Sequence, residues 1–356
     1  MRRRAERAAR MLALLLAATG CLVVTIAASQ AAEPGASQLP VFEDVGAWRD
    51  LFRRPKVSEP VADADQEARV RLGRHLFFER LLSGSGRMAC STCHDPARFF
   101  QDDRPRAVGV FYRSLARRTP PLFDLAEVRP LMRDGRAASL EEQVLMPVLD
   151  PDEMGQTAEG LLEKLGRVAF YRRTFAETFP AEGLSLPAIA RALAAYVATL
   201  ESPPTAFDRW VEGEEDALEA RERRGLAIFL GKGGCIACHV GRRLTDDRFH
   251  DIGLPTSDLG RGRFDPDRAS RFAFRTPSLR WVARRPPYMH DGSLGSLRAV
   301  VDHYDRGGID RPSRSPSVRP LGLTEQEKGD LIAFLETLSR PPPETRVSAL
   351  ASDRHR

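Results

Sequence analysis

Outside its first thirty-odd residues, this chain of 356 residues has no thiol to spare, no long apolar run and no excess of charge. Of five cysteines, Cys21 lies in that first stretch and the other four form two close pairs, so no structural disulfide is available. No second run is long and apolar enough to span a bilayer. The formal charge is +5, but residues 1–31 carry five Arg and one Glu and hold +4 of it, leaving about +1 for the rest. That balance does not argue for a nucleic-acid partner. Histidine is also scarce: seven in all, with none between His94 and His239.

What is present is a repeated pentapeptide, Cys90-Ser91-Thr92-Cys93-His94 and Cys235-Ile236-Ala237-Cys238-His239. C-x-x-C-H is the attachment signature of c-type haem. Two thiols at that spacing reach the two vinyl groups of one porphyrin, and the adjacent histidine falls onto the iron. A zinc site built from both cysteine pairs is the rival reading, but it leaves the histidine after each pair unexplained. Two covalently bound haems c are therefore expected, one on Cys90, Cys93 and His94, the other on Cys235, Cys238 and His239.

The first segment fits this chemistry. Arg2, Arg3, Arg4, Arg7 and Arg10 precede an apolar run from Met11 to Ala28, and small residues follow at Ser29 and Ala31. This reads as a signal peptide over 1–31, cleaved after Ala31 or Ala32, with an uncleaved anchor as the alternative. A periplasmic protein is expected, with no membrane contact beyond the leader. Cys21 follows Ala18-Thr19-Gly20, as in a lipoprotein site, but apolar residues continue past it, which argues against lipidation.

A hydrophobic fraction of 42 % supports two packed domains. Helical periodicity marks Val45 to Phe52, Ala64 to Phe78, Ser139 to Met146, Thr157 to Val168 and Leu186 to Leu200. Pro203-Pro204 breaks the pattern. It then restarts with Ala217 to Leu230, a glycine loop, the second pentapeptide, Leu297 to Tyr304 and Thr324 to Leu338. Each half reads helix, glycine loop, C-x-x-C-H, irregular chain, closing helix. The expected fold is mainly α, two cytochrome c-like haem domains in tandem, over 41–203 and 204–340. The Pro-rich polar tail, 341–356, is expected to be disordered.

The residues around the motifs resemble the bacterial di-haem cytochrome c peroxidase family, and within it the MauG branch. The resemblance rests on Leu72-Gly73-Arg74-His75-Leu76-Phe77-Phe78, Asp134-Gly135-Arg136, Leu140-Glu141-Glu142-Gln143 and Pro151-Asp152-Glu153-Met154-Gly155. It continues in Phe249-His250-Asp251-Ile252-Gly253, Arg275-Thr276-Pro277-Ser278-Leu279-Arg280 and Pro287-Tyr288-Met289-His290-Asp291-Gly292. It implies a peroxide-reactive N-terminal haem and an electron-relaying C-terminal haem, with His94 and His239 as proximal ligands.

The resemblance also bears on the opposite face of each haem. Where ordinary peroxidases of the family carry a distal histidine, sixteen residues past His94, this chain has Val110. An open first iron is expected, with Met88, Met132, Met146 and Met154 as other conceivable ligands. Gln143 and Glu153 keep the spacing of the family's peroxide pocket, with Pro147 between them as a wall. Splitting O–O needs a group that moves a proton from one oxygen to the other, and a carboxylate in an apolar pocket suits that exchange. The sixth-ligand position of the second haem falls on Tyr304, as in MauG, with His303 and Met289 as rivals. A phenolate is hard and anionic and favours ferric and higher-valent iron.

Two departures stand out. The family's tryptophan between the haems is Arg133 here, with Trp281 as a conceivable substitute. The asparagine that holds an interdomain calcium is Arg118, facing the carbonyl stretch Arg285-Pro286-Pro287, which argues against calcium. The expected activity is MauG-like: reaction with hydrogen peroxide at the first haem, with oxidising equivalents stored or relayed through the second. The redox partner would be a small cytochrome c, a cupredoxin or a protein substrate. The alternatives are a conventional cytochrome c peroxidase and a non-catalytic di-haem electron carrier.

Overall fold

The computed structural model describes residues 45–55 and 63–341. The leader and nearly all of the tail lie outside the described residues. The first half contains α1 (Val45–Phe52), α2 (Ala64–Phe77), a single helical turn α3 (Cys90–Cys93), α4 (Leu140–Leu149), α5 (Ala158–Gly166), α6 (Ala169–Thr178) and α7 (Leu186–Ala198). The second contains α8 (Ala206–Val211), α9 (Ala220–Leu230), α10 (Leu297–Arg306) and α11 (Glu325–Thr337). A two-residue antiparallel ladder, β1 (Phe249–His250) with β2 (Phe274–Arg275), pairs Phe249 with Arg275 and His250 with Phe274. Among the described residues no helix is long and apolar enough to cross a membrane.

Local chemistry explains the helix starts. Asp63 accepts from the N–H groups of Asp65 and Gln66 ahead of α2. Ser139, Ser185 and Ser296 cap α4, α7 and α10. Thr324 and Glu327 form a reciprocal capping box ahead of α11, at 2.7 and 3.2 Å. Each cap satisfies N–H groups that have no partner inside the helix.

Two hydrophobic cores follow the repeat. The first gathers Leu72, Leu76 and Phe77 of α2, Leu140, Val144 and Val148 of α4, and nearly every residue of α7 from Ala188 to Val197. A helix buried on all sides is the centre of its domain, and α7 has that place. The second core gathers Phe229 and Leu230 of α9, Val301 of α10, and Leu331, Phe334 and Leu335 of α11. It also takes Trp48 and Phe52 of α1. Sequence order assigned that helix to the first domain, but its Phe52 ring packs edge-on against Phe207 at 5.4 Å.

The same joint closes both cores. In each, the helix before the haem motif crosses the closing helix at a glycine. A Cβ on Gly73 would lie 1.8 Å from the Ala192 carbonyl oxygen, and one on Gly225 would lie 1.9 Å from that of Asp330. A side chain at either position would push the two backbones apart. Gly329, on α11, meets nothing within 4 Å. Gly225→Ala is therefore expected to destabilise the haem-loaded protein by about 2 kcal/mol or more through overpacking. Gly329→Ala should stabilise it by about 0.5–1 kcal/mol through helix propensity. Denaturant unfolding followed by circular dichroism checks both, and a neutral Gly225→Ala would refute the close crossing.

Candidate active site

Both pentapeptides are folded into single tight turns. The His94 N–H donates to the Cys90 carbonyl at 2.9 Å, and the His239 N–H donates to that of Cys235 at the same distance. Each turn brings two free cysteines and the histidine to one side. Burial pushes the thiols of Cys90 and Cys235 up to about 12 and that of Cys93 up to about 11. They are neutral thiols, the form that adds across a vinyl group. Burial also lowers the proton affinity of His94 and His239, leaving neutral imidazoles with a lone pair for iron.

The ring orientation is set by a second atom. His94 Nδ1 is 2.9 Å from the Phe100 carbonyl oxygen, and His239 Nδ1 is 2.9 Å from that of Leu244. An N–H at Nδ1 donated to a carbonyl leaves Nε2 free as the metal-binding nitrogen. Phe100 and Leu244 both stand in the left-handed region, with φ of 54° and 53°. The sequence does not mark them, since every residue has a carbonyl and neither type favours that conformation. Two such turns, with paired thiols and an oriented imidazole, fit covalently attached haem.

Beside the first turn is a cavity of about 220 Å³ lined by Met132, Arg136, Met146, Leu149, Asp150 and Glu153. Glu153 lies close enough to the motif that its charge helps raise the Cys93 thiol, after burial and Asp102. Burial first, and then Asp150, hold the Glu153 carboxyl above the usual range, with Arg136 opposing. Gln143, Met146 and Pro147 follow one another at helical spacing along one side of α4, whose C-cap is Asp150. Gln143 and Pro147 therefore sit on the helix that walls the cavity but are not among its lining side chains. The Pro147 carbonyl accepts from the Met154 N–H at 3.1 Å and ties the helix to the Glu153 turn. Val110 is buried and donates its N–H to the Glu153 carbonyl at 2.8 Å, so its loop is pinned against that turn. Met132 and Met146 share the cavity with Glu153, Met154 is in the core, and Met88 is half-buried.

Around the second turn, Tyr304 lies close enough to Cys238 and Cys235 that their charges, after burial, raise its phenol. His303 points elsewhere: its Nε2 donates to the Ile252 carbonyl at 3.0 Å. His250 Nε2 bonds Asp246 at 2.7 Å, and that hydrogen bond, followed by one to Cys238, raises the imidazole to about 10. His290 stacks on Phe274 with ring centroids 3.9 Å apart. His250 thus lies beside the second motif, near enough to His239 that its charge, after burial, lowers that imidazole's proton affinity.

The halves meet at several contacts, among them the following. Trp281 is buried, stacks on Phe99 at 4.7 Å and donates from Nε1 to the Pro203 carbonyl at 2.9 Å. The Arg275 N–H donates to the Arg133 carbonyl at 2.8 Å. Arg118 donates from Nη1 to the Arg285 carbonyl at 3.1 Å, and from Nη2 to those of Asp102 at 3.3 Å and Pro286 at 3.4 Å.

Known proteins share this arrangement. The family model described as di-haem cytochrome c peroxidase matches residues 67–216. The methylamine utilization protein MauG of Methylorubrum extorquens is 46 % identical over 325 residues, which cover 90 % of this chain and 91 % of that one. Cytochrome c551 peroxidase of Pseudomonas aeruginosa is 30 % identical over 303 residues, covering 82 % and 83 %. The crystal structure of a MauG-like protein associated with microbial copper homeostasis superposes with a TM-score of 0.75 at 31 % identity, over 85 % of this chain and 99 % of that one. The chain thus belongs to the di-haem cytochrome c peroxidase family, on the side of MauG, and is a peroxidase-like oxidoreductase carrying two covalently bound haems c.

Proposed function

We propose that this protein is an exported, periplasmic MauG-like peroxidase. Cys90, Cys93 and His94 would hold the haem that reacts with hydrogen peroxide, and Cys235, Cys238, His239 and Tyr304 would hold the one that stores or relays the oxidising equivalents. The observation that carries the MauG-like reading is Tyr304. Its phenol faces the thiols of the second motif, while the neighbouring His303 is held by a backbone carbonyl. Bound haem supplies the two-electron chemistry that cleaves the O–O bond. Glu153 takes a proton from the nearer peroxide oxygen at its carboxylate and returns it to the leaving oxygen. On the helix that walls the cavity, Gln143 would hold peroxide or water by its amide and Pro147 would support that wall from behind its lining, to which Met132, Met146 and Leu149 give the apolar part. The oxidising equivalents pass to a redox partner, either a protein side chain to be modified or a small cytochrome c or cupredoxin. The named relative cytochrome c551 peroxidase favours the cytochrome as a second reading. Steady-state turnover with reduced cytochrome c separates the two, since rapid turnover supports the conventional peroxidase.

Calcium does not fit the interdomain position. Hard divalent cations need six to eight oxygen ligands. Here the Arg118 guanidinium already bonds the Arg285, Pro286 and Asp102 carbonyls and is itself the cation at that place. Treatment with EGTA is expected to leave the visible and electron paramagnetic resonance spectra unchanged. A chelator-dependent change in either would show that a metal is held there.

Glu153→Gln should leave both haems attached and slow the reaction with peroxide by roughly 10²–10⁴-fold. The raised carboxyl gives the pH dependence its sign. Its ionised, proton-accepting form is lost at a higher pH than for a free glutamate, so the wild-type rate should fall through the weakly acidic range. The Gln variant should lack that limb, and stopped-flow kinetics against pH would show whether it does.

Tyr304→Phe should change the spectrum of the second haem alone. Unaltered spin states for both haems would remove Tyr304 from the coordination sphere.

A further inference from the structure

The boundary between the two cores holds a group of arginines that the peroxide chemistry does not use. Arg118 and Arg285 are more than nine-tenths buried, at 5 % and 6 % exposure. Arg133 lies beside both, and beside Arg117 and Arg275. Burial, followed by these four like charges, pushes its guanidinium down to about 9. A guanidinium removed from water needs an opposite charge as well as acceptors for its N–H groups. Arg117 has both, donating to Asp134 at 2.6 Å and Asp258 at 2.7 Å. Arg275 has Asp247 at 3.6 Å. Arg285 donates to the carbonyls of Ser278 at 2.6 Å and Trp281 at 3.2 Å, and Arg118 to the three carbonyls described above. Carbonyls satisfy N–H groups but do not cancel charge.

Arg133 has neither. Among the described residues no carboxylate reaches its guanidinium, and its Nε is buried without a partner, as is the Nε of Arg118. Asp134, next in the chain, gives Oδ2 to Arg117 and Arg136, while its Oδ1 has no donor. The position is shared by both haem sites. Met132 and Arg136, on either side, line the cavity of Glu153. The Arg133 carbonyl is bonded by Arg275, whose neighbour Thr276 accepts from Thr245, the residue after the one that orients His239. Positive charge without a counter-charge, beside residues of both haem sites, calls for an anion, and each haem would bring two propionates.

We propose that this arginine group is the binding site for haem propionate, with Arg133 donating from its guanidinium to a propionate carboxylate and Arg118 and Arg285 adding the surrounding positive charge. Arg133 thereby acts as a positioning residue that also sets the potential of the haem it holds. A cation beside the porphyrin favours the reduced iron, so Arg133→Gln should lower the midpoint potential of at least one haem. A tenfold change in its reduction equilibrium, 59 mV for one electron, is the expected scale. Arg133→Lys, which keeps the charge, should recover most of that shift.

Spectroelectrochemistry of the haem-loaded protein measures the potentials, and resonance Raman spectra follow the propionate bending bands, which should move in Arg133→Gln. Potentials and bands that do not change in that variant would overturn the proposal. If the variants fail to take up haem, a crystal structure of the wild-type haem-loaded protein decides. A propionate oxygen within hydrogen-bond distance of Arg133 Nε supports the proposal, and a water or a free anion there overturns it. None of these measurements depends on reaction with peroxide, so failure of the peroxide reading would leave this test intact.

Discussion

An imidazole can present one nitrogen to iron in a fixed direction only if its other nitrogen is held, and the rest of the structure depends on that constraint. It is met twice in the same way, by backbone carbonyls at 2.9 Å, from Phe100 to His94 and from Leu244 to His239. Both carbonyls come from residues in the left-handed region, a conformation that costs a non-glycine residue about 1–3 kcal/mol. Packing holds them there. Phe100 stacks edge-on with Phe77 and Phe123, at 6.0 and 5.5 Å, and Leu244 is fully buried in the second core. The two cores, and the glycine crossings that close them, therefore hold the carbonyls that aim the ligands.

With the proximal sides alike, the difference between the sites lies opposite. On the first is a cavity lined by Met132, Met146 and Leu149 together with Arg136, Asp150 and the raised carboxyl of Glu153. On the second, the half-buried phenol of Tyr304 stands near the thiols. Without iron, burial keeps Tyr304 protonated. A metal ion bound there would reverse that preference, because its charge would stabilise the phenolate directly.

Much of this was legible in the sequence, and the remainder was not for identifiable reasons. The pentapeptides name their own chemistry, and helices with strong periodicity, such as Leu186–Ala198, start where their serine caps stand. Ala169–Thr178 was missed because only Tyr171 and Phe175 mark its buried face amid arginines and threonines. Ala206–Val211 is too short to show a period. The α1 helix is apolar enough to be found, but nothing local says which core it joins. Its place depends on Phe207 and Trp210, far along the chain. Backbone acceptors such as the Phe100 and Leu244 carbonyls leave no trace in residue type. Arg133 reads as one more arginine among many until its surroundings are known.

Those surroundings bear on how the two haems act together. Two redox centres cooperate only while their separation is kept, and the contacts that keep it here are covalent parts of the chain. They include the Arg118 guanidinium on carbonyls from both sides, the Arg117–Asp258 pair, the Phe99–Trp281 stack, and the Arg275–Arg133 backbone bond. A metal at such a joint can be withdrawn by dilution or chelation, whereas a guanidinium cannot. The two halves are thus bridged by groups of the chain itself. With the halves joined in this way, the two sites differ in the side chains they hold: a carboxyl raised by burial at Glu153 beside the first motif, and the phenol of Tyr304 beside the second.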